Sequence, residues 1–384
     1  MKKLPHKQPF FTHNIYEFIE EKLPTFLGFV LLLTGLLIGK LSFDYLYQNR
    51  NQKQFVQDFY ANVSSDLVSI AFTILIIDKL NQWRITSQEK KEIILQMGSP
   101  NNLIAIESVR KLRLLGWLID GSLRGAYLKN ADLTRANLEK ADLRQVNLQG
   151  AKLAEANLTN ADLRSADLKD ADIKGVILHG VLINDETILP DSGRLVWSIV
   201  NKDNAGTDLT ESDLSGSILR EAKLIGAILK QSILNSVDLT DAKLTRAALS
   251  DVELNGAILC KAVLHNADLK NAKLQGADLS NADLSRANLQ GADLFGARLN
   301  NTNLTNADLG GAQIRADLSN ADLSCANLQG ADLSGALLDN TNLTNADLRG
   351  AQIRTDISTA KTFAAKYDNT TQWLDSPPND AILS

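Results

Sequence analysis

From residue 118 onward an apolar side chain, nearly always leucine, returns at every fifth position: Leu118, Leu123, Leu128, Leu133 and so on to Leu178 and Ile183. Alanine stands two residues before most of them, so the chain reads A-(D/N)-L-x-x, as in ADLTR, ANLTN and ADLSN. No straight helix explains this, because five steps of 100° turn the leucine by about 140° per repeat and smear the row around the axis. A straight strand fails as well, since an odd period throws successive leucines to opposite faces. One continuous leucine face therefore requires the chain to turn once per repeat. Ala and Leu share one side of a three-residue extended piece, and the remaining two positions make the corner. Corner positions such as Gly150, Asn160, Gly276, Asn281, Gly291 and Asn306 carry residues that turns favour.

These motifs resemble the pentapeptide-repeat family, in a membrane-anchored bacterial, cyanobacterial-like form, over residues 118–357 apart from one interruption. The resemblance implies a mainly β solenoid: a right-handed quadrilateral β-helix with four pentads per coil, Leu and Ala inward and the other three positions outward. At strand spacing about eleven coils give a rod of about 50 Å. Val146, Val176, Val181, Val237 and Val252 replace the inward Ala and widen the interior locally. Ser212, Ser217, Ser232, Thr302 and Thr341 place a hydroxyl inside. Each such hydroxyl needs a backbone partner or costs roughly 1–3 kcal/mol.

The motif lapses over residues 184–205 (NDETILPDSGRLVWSIVNKDNA) and resumes at Leu209. The string ILPDSGRLVW resembles the tail that closes such arrays, so two fused units, 118–183 and 206–357, are expected, with a loop extruded from one rod as the alternative. A stretch of this length is uncommon unless it caps or functions, which makes Pro190, Arg194 and Trp197 candidates for a partner contact. Two four-residue steps, from Ile314 to Leu318 and from Ile353 to Ile357, belong to a repeat of 39 residues relating 281–319 to 320–358. A kink or bulge is expected at each. Residues 358–384 depart from the motif, and Phe363, Tyr367 and Trp373 are expected to cover the last coil.

Ahead of the repeats, residues 23–39 (LPTFLGFVLLLTGLLIG) hold no charge and are bracketed by Lys22 and Lys40. Residues 59–77 are apolar apart from Asp66. These features predict two membrane-spanning helices, 23–43 and 59–79, joined by a loop at 44–58 and preceded by a tail at 1–22. Lys2, Lys3, Lys7 and Lys22 before the pair and Lys79, Arg84, Lys90 and Lys91 after it put both ends and the repeats on the cytoplasmic side of a bacterial-type inner or thylakoid membrane. Asp66, ionisable within a span, reads first as an interfacial or hydrogen-bonded structural residue, with helix pairing or ion passage as the alternatives. Residues 84–117 read as a helical connector and N-terminal cap, with Thr86 and Glu89 forming a capping box.

Net charge is −5. Residues 1–118 carry 14 Lys/Arg against 10 Asp/Glu, and residues 205–357 carry 13 against 19. No concentrated basic face is present, so nucleic acid is not an expected partner. Cys260 and Cys325 lie several coils apart, too far for a disulfide. His179 and His265 each follow an inward leucine, and no His, Cys or carboxylate cluster has metal spacing. No phosphate loop or nucleophile elbow occurs. No cofactor, no metal and no catalysis are expected. The function predicted is a membrane-anchored scaffold or protein-interaction rod with an unidentified protein partner. The alternatives are a DNA-mimicking topoisomerase-binding protein and, through Asp66, a subunit of an oligomeric channel or transporter.

Overall fold

The computed structural model describes residues 23–48, 53–374 and 376–383. The expected N-terminal tail, with Lys2, Lys3, Lys7 and Lys22, lies outside them. The chain divides into two compact units, residues 1–92 and 93–384.

In the first unit, helix α1 spans Leu23–Gln48, and helix α2 begins in this unit and spans Lys53–Met97. The two pack closely where α1 carries glycine: a Cβ on Gly28 would meet Leu75 at 2.8 Å, and one on Gly35 would meet Val68 at 3.0 Å. Ser64 Oγ donates to Gly35 O at 2.8 Å, a bond that only such proximity permits. Where the residues suggested a span ending near 79 and a separate helix from 86, α2 is continuous. No Gly or Pro interrupts residues 53–97, and Thr86 and Glu89 lie inside the helix instead of capping it.

The expected membrane location is overturned. Among the described residues no helix is long and apolar enough to cross a membrane. The described uncharged side chains of α1 run over residues 26–39 before Lys40, about 21 Å of helix. In α2 the apolar run between Asp66 and Asp78 covers residues 67–77, about 16 Å. A hydrocarbon layer is about 30 Å thick. The cytoplasmic placement of the repeats, inferred from spans, falls with them, as does the channel reading of Asp66.

The second unit is built from the five-residue repeat. Parallel bridges join residues 20 positions apart, for example Asp278 with Arg298 and Asp283 with Asn303. Four pentads therefore complete one coil. Leu279 shows the bonding that repeats inside the stack use. Its N–H donates to Arg298 O in the next coil at 2.8 Å, and the N–H of Asp278 donates to Ala257 O in the preceding coil at 2.8 Å. At the corner Ala282 N–H closes a four-residue turn on Leu279 O at 3.0 Å. Asn281, third in that turn, has φ +61°, the type II pattern that favours Gly or Asn there. The Asp or Asn before each leucine supports the same corner: Asp278 Oδ1 accepts the N–H of Ser280 at 3.0 Å. The motif is thus a complete set of instructions, with Ala and Leu for the interior, Asp or Asn for a side-chain turn, and a left-handed residue last.

The leucines and alanines form one continuous core, most with no exposed surface. Three of the inward hydroxyls find partners one coil back. Ser232, Thr302 and Thr341 donate to the carbonyl oxygens of Leu209, Leu279 and Leu318 at 2.7–3.0 Å. The four-residue step at Ile314 causes no break in the ladder. Bridges shorten to 19 positions, as from Asn303 to Asp322, and the columns continue. At this first step Arg315 alone makes the corner and lacks the positive φ found in five-residue corners, so one left-handed residue is dropped while Ala316 stays inward. At the step after Ile353, by contrast, the column of Leu337 stops: no bridge joins it to Asp356 among the described residues.

The N-terminal end of the rod is covered by helix α3, Asn102–Leu114. Ala105, Val109 and Leu112 pack down onto the core, while Leu103 and Leu114 face outward. Its polar side chains take the place of a preceding coil: Asn102 Nδ2 donates to Asp132 O and Thr134 O, and Arg113 Nη2 donates to Asn137 O at 2.8 Å. At the other end short strands continue the pairing. Strand β1 (Gln352–Ile353) pairs with β3 (Gln372–Trp373), and β2 (Lys366–Tyr367) pairs with β4 (Ile382–Leu383). Tyr367 and Trp373 meet edge to face at 5.5 Å. Phe363 does not cover the last coil. It takes the outward corner position after the inward Thr362 and is 67% exposed.

Candidate functional site at the break in the rod

The interruption is where the repeat chemistry changes. After Ile188 bridges to Asp167, Pro190 turns the chain out of the coil and helix α4 spans Asp191–Asn201. Gly193, Val196 and Ile199 form its buried stripe, at the spacing of one helix face. Gly193 sits against Ile173, so closely that a Cβ there would come within 2.3 Å of Ile173 Cδ1. The helix thus plugs the end of the first block.

Backbone groups that would pair with a further coil are met by α4 side chains. Trp197 Nε1 donates to Val181 O at 2.8 Å. Asn201 Oδ1 accepts the N–H of Gly180 at 2.7 Å, and its Nδ2 donates to Leu178 O at 2.8 Å. Arg194 Nη2 donates to Thr187 O at 2.7 Å. Thr187 Oγ1, buried, donates to Leu163 O at 3.0 Å. Asn204 Nδ2 closes the far end of α4 on Ser198 O and Ile199 O. Of the three sequence candidates in this segment, Pro190 sets the N-terminus of α4, while Arg194 and Trp197 are turned toward the rod and hold its end. Lys202 Nζ lies 5.2 Å from the centre of the Trp197 ring. Asp66 lies on α2, exposed, in the other unit. The polar residues that do most at the break, Thr187, Asn201 and Asn204, were not singled out by the sequence. Their one signal is that they are amides and a hydroxyl in a stretch that must end a stack of unpaired strands.

A cleft of about 400 Å3 opens beside α4, between residues 171–178 of the first block and residues 213–217 of the second. Its floor is Ile173, Val176, Leu178 and Val196, and Asp172, Lys174, Ser192, Asp213, Ser215 and Ser217 bring polar groups to it.

Elsewhere the outward charges are locally engaged. Arg144 lies between Asp142 and Asp162, and its hydrogen bond to Asp142 outweighs partial burial and holds that carboxyl below its usual value. Arg349 does the same for Asp347, held at about 2. Burial, then the neighbouring Asp278 carboxylate, pushes the Cys260 thiol up to about 11, so it stays protonated at neutral pH. Cys325 is exposed, and both cysteines are free. His265 Nδ1 lies 2.7 Å from Ser285 Oγ, and Ser285 Oγ donates to Asp283 Oδ1 at 2.6 Å. With its proton directed to Asp283, the serine hydroxyl can only accept from His265. That is the reverse of the polarity a histidine base would need to activate a serine.

The repeat profile of the family described as Pentapeptide repeats matches the chain in eight copies, within residues 118–150, 141–180, 205–235, 237–276, 277–315 and 316–354. Among curated proteins no sequence matches. Solved structures include HetL, a pentapeptide repeat protein involved in heterocyst differentiation regulation from Nostoc sp. strain PCC 7120. It is 29% identical over 64% of this chain and 95% of that one, with a TM-score of 0.22. QnrB1, a plasmid-mediated fluoroquinolone resistance protein, is 18% identical over 47% and 88%, with a TM-score of 0.28. A further pentapeptide repeat protein from Nostoc is 34% identical over 32% and 75%, with a TM-score of 0.14. Scores this low leave the assignment to the repeat itself. That repeat profile covers more than half of the residues, and the chain belongs to the pentapeptide-repeat family.

Proposed function

We propose that this protein is a non-catalytic interaction rod, a scaffold whose partner contact lies on the coils that flank α4. The observation that carries this reading is a change in the outward positions there. Leu182 and Ile188 on the last coil of the first block, and Ile225 and Ile233 on the opening coils of the second, are all exposed. Most outward positions farther along hold polar or charged residues, and the exposed large apolar ones there, such as Ile258, Phe295, Leu337 and Phe363, stand singly in the sequence. Exposed apolar side chains gathered where a repeat array changes character are the ordinary mark of a protein contact. Extended solenoid surfaces suit such contacts.

The acidic columns give little support to DNA mimicry. Lys152 lies 3.3 Å from Asp132, Lys273 2.7 Å from Glu253 and Arg315 2.9 Å from Asp332, so positive charge is threaded through the negative. The test is crosslinked capture with the full chain beside two variants, L182N/I188N and I225N/I233N. A partner lost from either variant is the expected result. An identical set of crosslinked proteins and an unchanged particle size in all three would refute the reading.

A further inference from the structure

The lower edge of the first block and the upper edge of the second face the same cleft beside α4, and both are short of hydrogen-bond partners. In most repeats the leucine N–H and the left-handed corner N–H donate to the following coil, as Leu153 does to Asp172 O and Glu155 to Lys174 O. Ile173 and Gly175 are the equivalent donors of the last coil. Among the described residues neither N–H has a partner, and the carbonyl oxygens of Ala171 and Val176 accept nothing. On the opposite wall the N–H of Asp213, which in other coils bonds backward as Ile233 does to Ser212 O, has no partner either. α4 relieves other parts of the first edge through Trp197, Asn201 and Arg194, but supplies nothing here.

Ladder neighbours stand 20 residues apart, as Lys152 and Asp172 do, whereas Asp172 and the next residue of this kind at the cleft, Asp213, stand 41 apart in sequence. One rung is missing. The residue that a continuous ladder would put there is Ser192, in the first turn of α4 and on the wall of the cleft. The blocks meet at one corner, where a Cβ on Gly175 would lie 3.6 Å from Gly216 O. A three-residue extended segment fills roughly 10 by 4.8 by 10 Å, about 500 Å3, the same order as the cleft of about 400 Å3.

We propose that this cleft binds an extended peptide segment of a partner protein, which pairs by its backbone with Ile173 and Gly175 on one side and Asp213 on the other and so supplies the missing rung. Only a peptide main chain offers alternating C=O and N–H at strand spacing to both walls at once. The floor of Ile173, Val176 and Val196 suits one small apolar side chain, and Lys174, which forms no ion pair among the described residues, suits an acidic residue beside it. The preferred sequence is therefore close to one of the chain's own repeats. This deepens the scaffold reading by giving the chemistry of one contact, and it does not depend on the apolar coils named above.

The probe is a fluorescein-labelled peptide with the sequence of residues 305–311, TNADLGG, added to the full chain. Saturable binding is expected, with slowed amide exchange in segments 171–178 and 211–218. The same peptide N-methylated at its Asp and Leu amides should bind about tenfold more weakly, as should the parent peptide to Ser215→Trp, which fills the cleft. Ser250→Trp, at a corner away from the cleft, should bind like the native chain. No saturation at millimolar peptide, equal binding of the N-methylated peptide, or unchanged exchange at both walls would overturn the proposal. Partner capture through the apolar coils would persist in that case, which separates failure of the cleft from failure of the rod reading.

Discussion

The indole N–H of Trp197 donates a 2.8 Å hydrogen bond to the carbonyl oxygen of Val181, where the backbone N–H of a following coil would otherwise stand. A side chain thus completes a ladder that the backbone abandons. Trp197→Phe keeps the ring and removes only the donor, leaving the Val181 carbonyl unpaired at a residue that is 2% exposed. The expected loss is about 1–3 kcal/mol. It should show as faster amide exchange over residues 176–183 with the second block unchanged, since coils in a solenoid depend chiefly on their neighbours.

Along one face Asp268, Asn288, Asp308, Asn327 and Asp347 stack coil upon coil. The alternation has a physical cause. Like charges directly opposite one another destabilise a sheet, and each amide instead donates to the carboxylate below, Asn288 to Asp268 and Asn327 to Asp308, both at 2.8 Å. Asn327→Asp sets three carboxylates in succession and is expected to cost about 1–2 kcal/mol at pH 7. Repulsion raises the folded-state pKa of the new carboxyl above its unfolded value. The deficit is therefore absent below the unfolded value, near 3.9, and fully developed once pH has risen through the folded one. Urea midpoints of both proteins across pH 3 to 7 check this.

The hydrogen bond from Arg349 holds the Asp347 carboxyl at about 2, against an ordinary 3.8. A lowered folded-state pKa stabilises above the unfolded value, and the contribution is lost as pH falls through about 2. Arg349→Gln should destabilise at pH 7, and the difference should shrink as pH falls toward 2 and vanish below it. Arg349 is 43% exposed, so screening by solvent keeps the difference small. Denaturant titrations at the two pH values make the comparison.

Gln231 occupies a corner with φ +57°, where Gly stands at equivalent corners such as Gly291. A left-handed conformation costs a side-chain-bearing residue roughly 1–2 kcal/mol, and the entropy lost by Gly offsets roughly 0.5–1 of that. Gln231→Gly should stabilise the chain by about 0.5–1 kcal/mol, seen as a raised melting temperature.

The period of five carried most of the fold, because each motif position has one physical task and the task repeats. Leu279, Ala282, Asp278 and Asn281 could each be placed inside, inside, beside the turn and at the left-handed corner from their side chains alone. The break was less legible. Val196 and Ile199 have helical spacing, but Pro190 and Gly193 within four residues obscure it. That Trp197 and Arg194 turn inward depends on which carbonyls the first block leaves unpaired, a property of the stack and not of the local sequence. The spans expected at residues 23–43 and 59–79 rested on hydropathy and tolerated Asp66 within the second run, which leaves only residues 67–77 uncharged before Asp78. Of the disturbances expected near Ile314 and Ile353, the first is absorbed by the corner and the second appears as a missing bridge between Leu337 and Asp356.

The shortened corner at Ile314, which leaves its columns in register, has a consequence for growth. One coil of 19 residues and one of 20 make the 39-residue block, shown by Arg298 to Asp317 and Asp317 to Leu337. The block begins and ends in the same column, so copying it adds two layers and leaves the faces above and below in phase. The molecule can therefore lengthen in steps of about 10 Å, like a ruler cut in fixed divisions, and a partner gripping one face would be carried outward without being rotated.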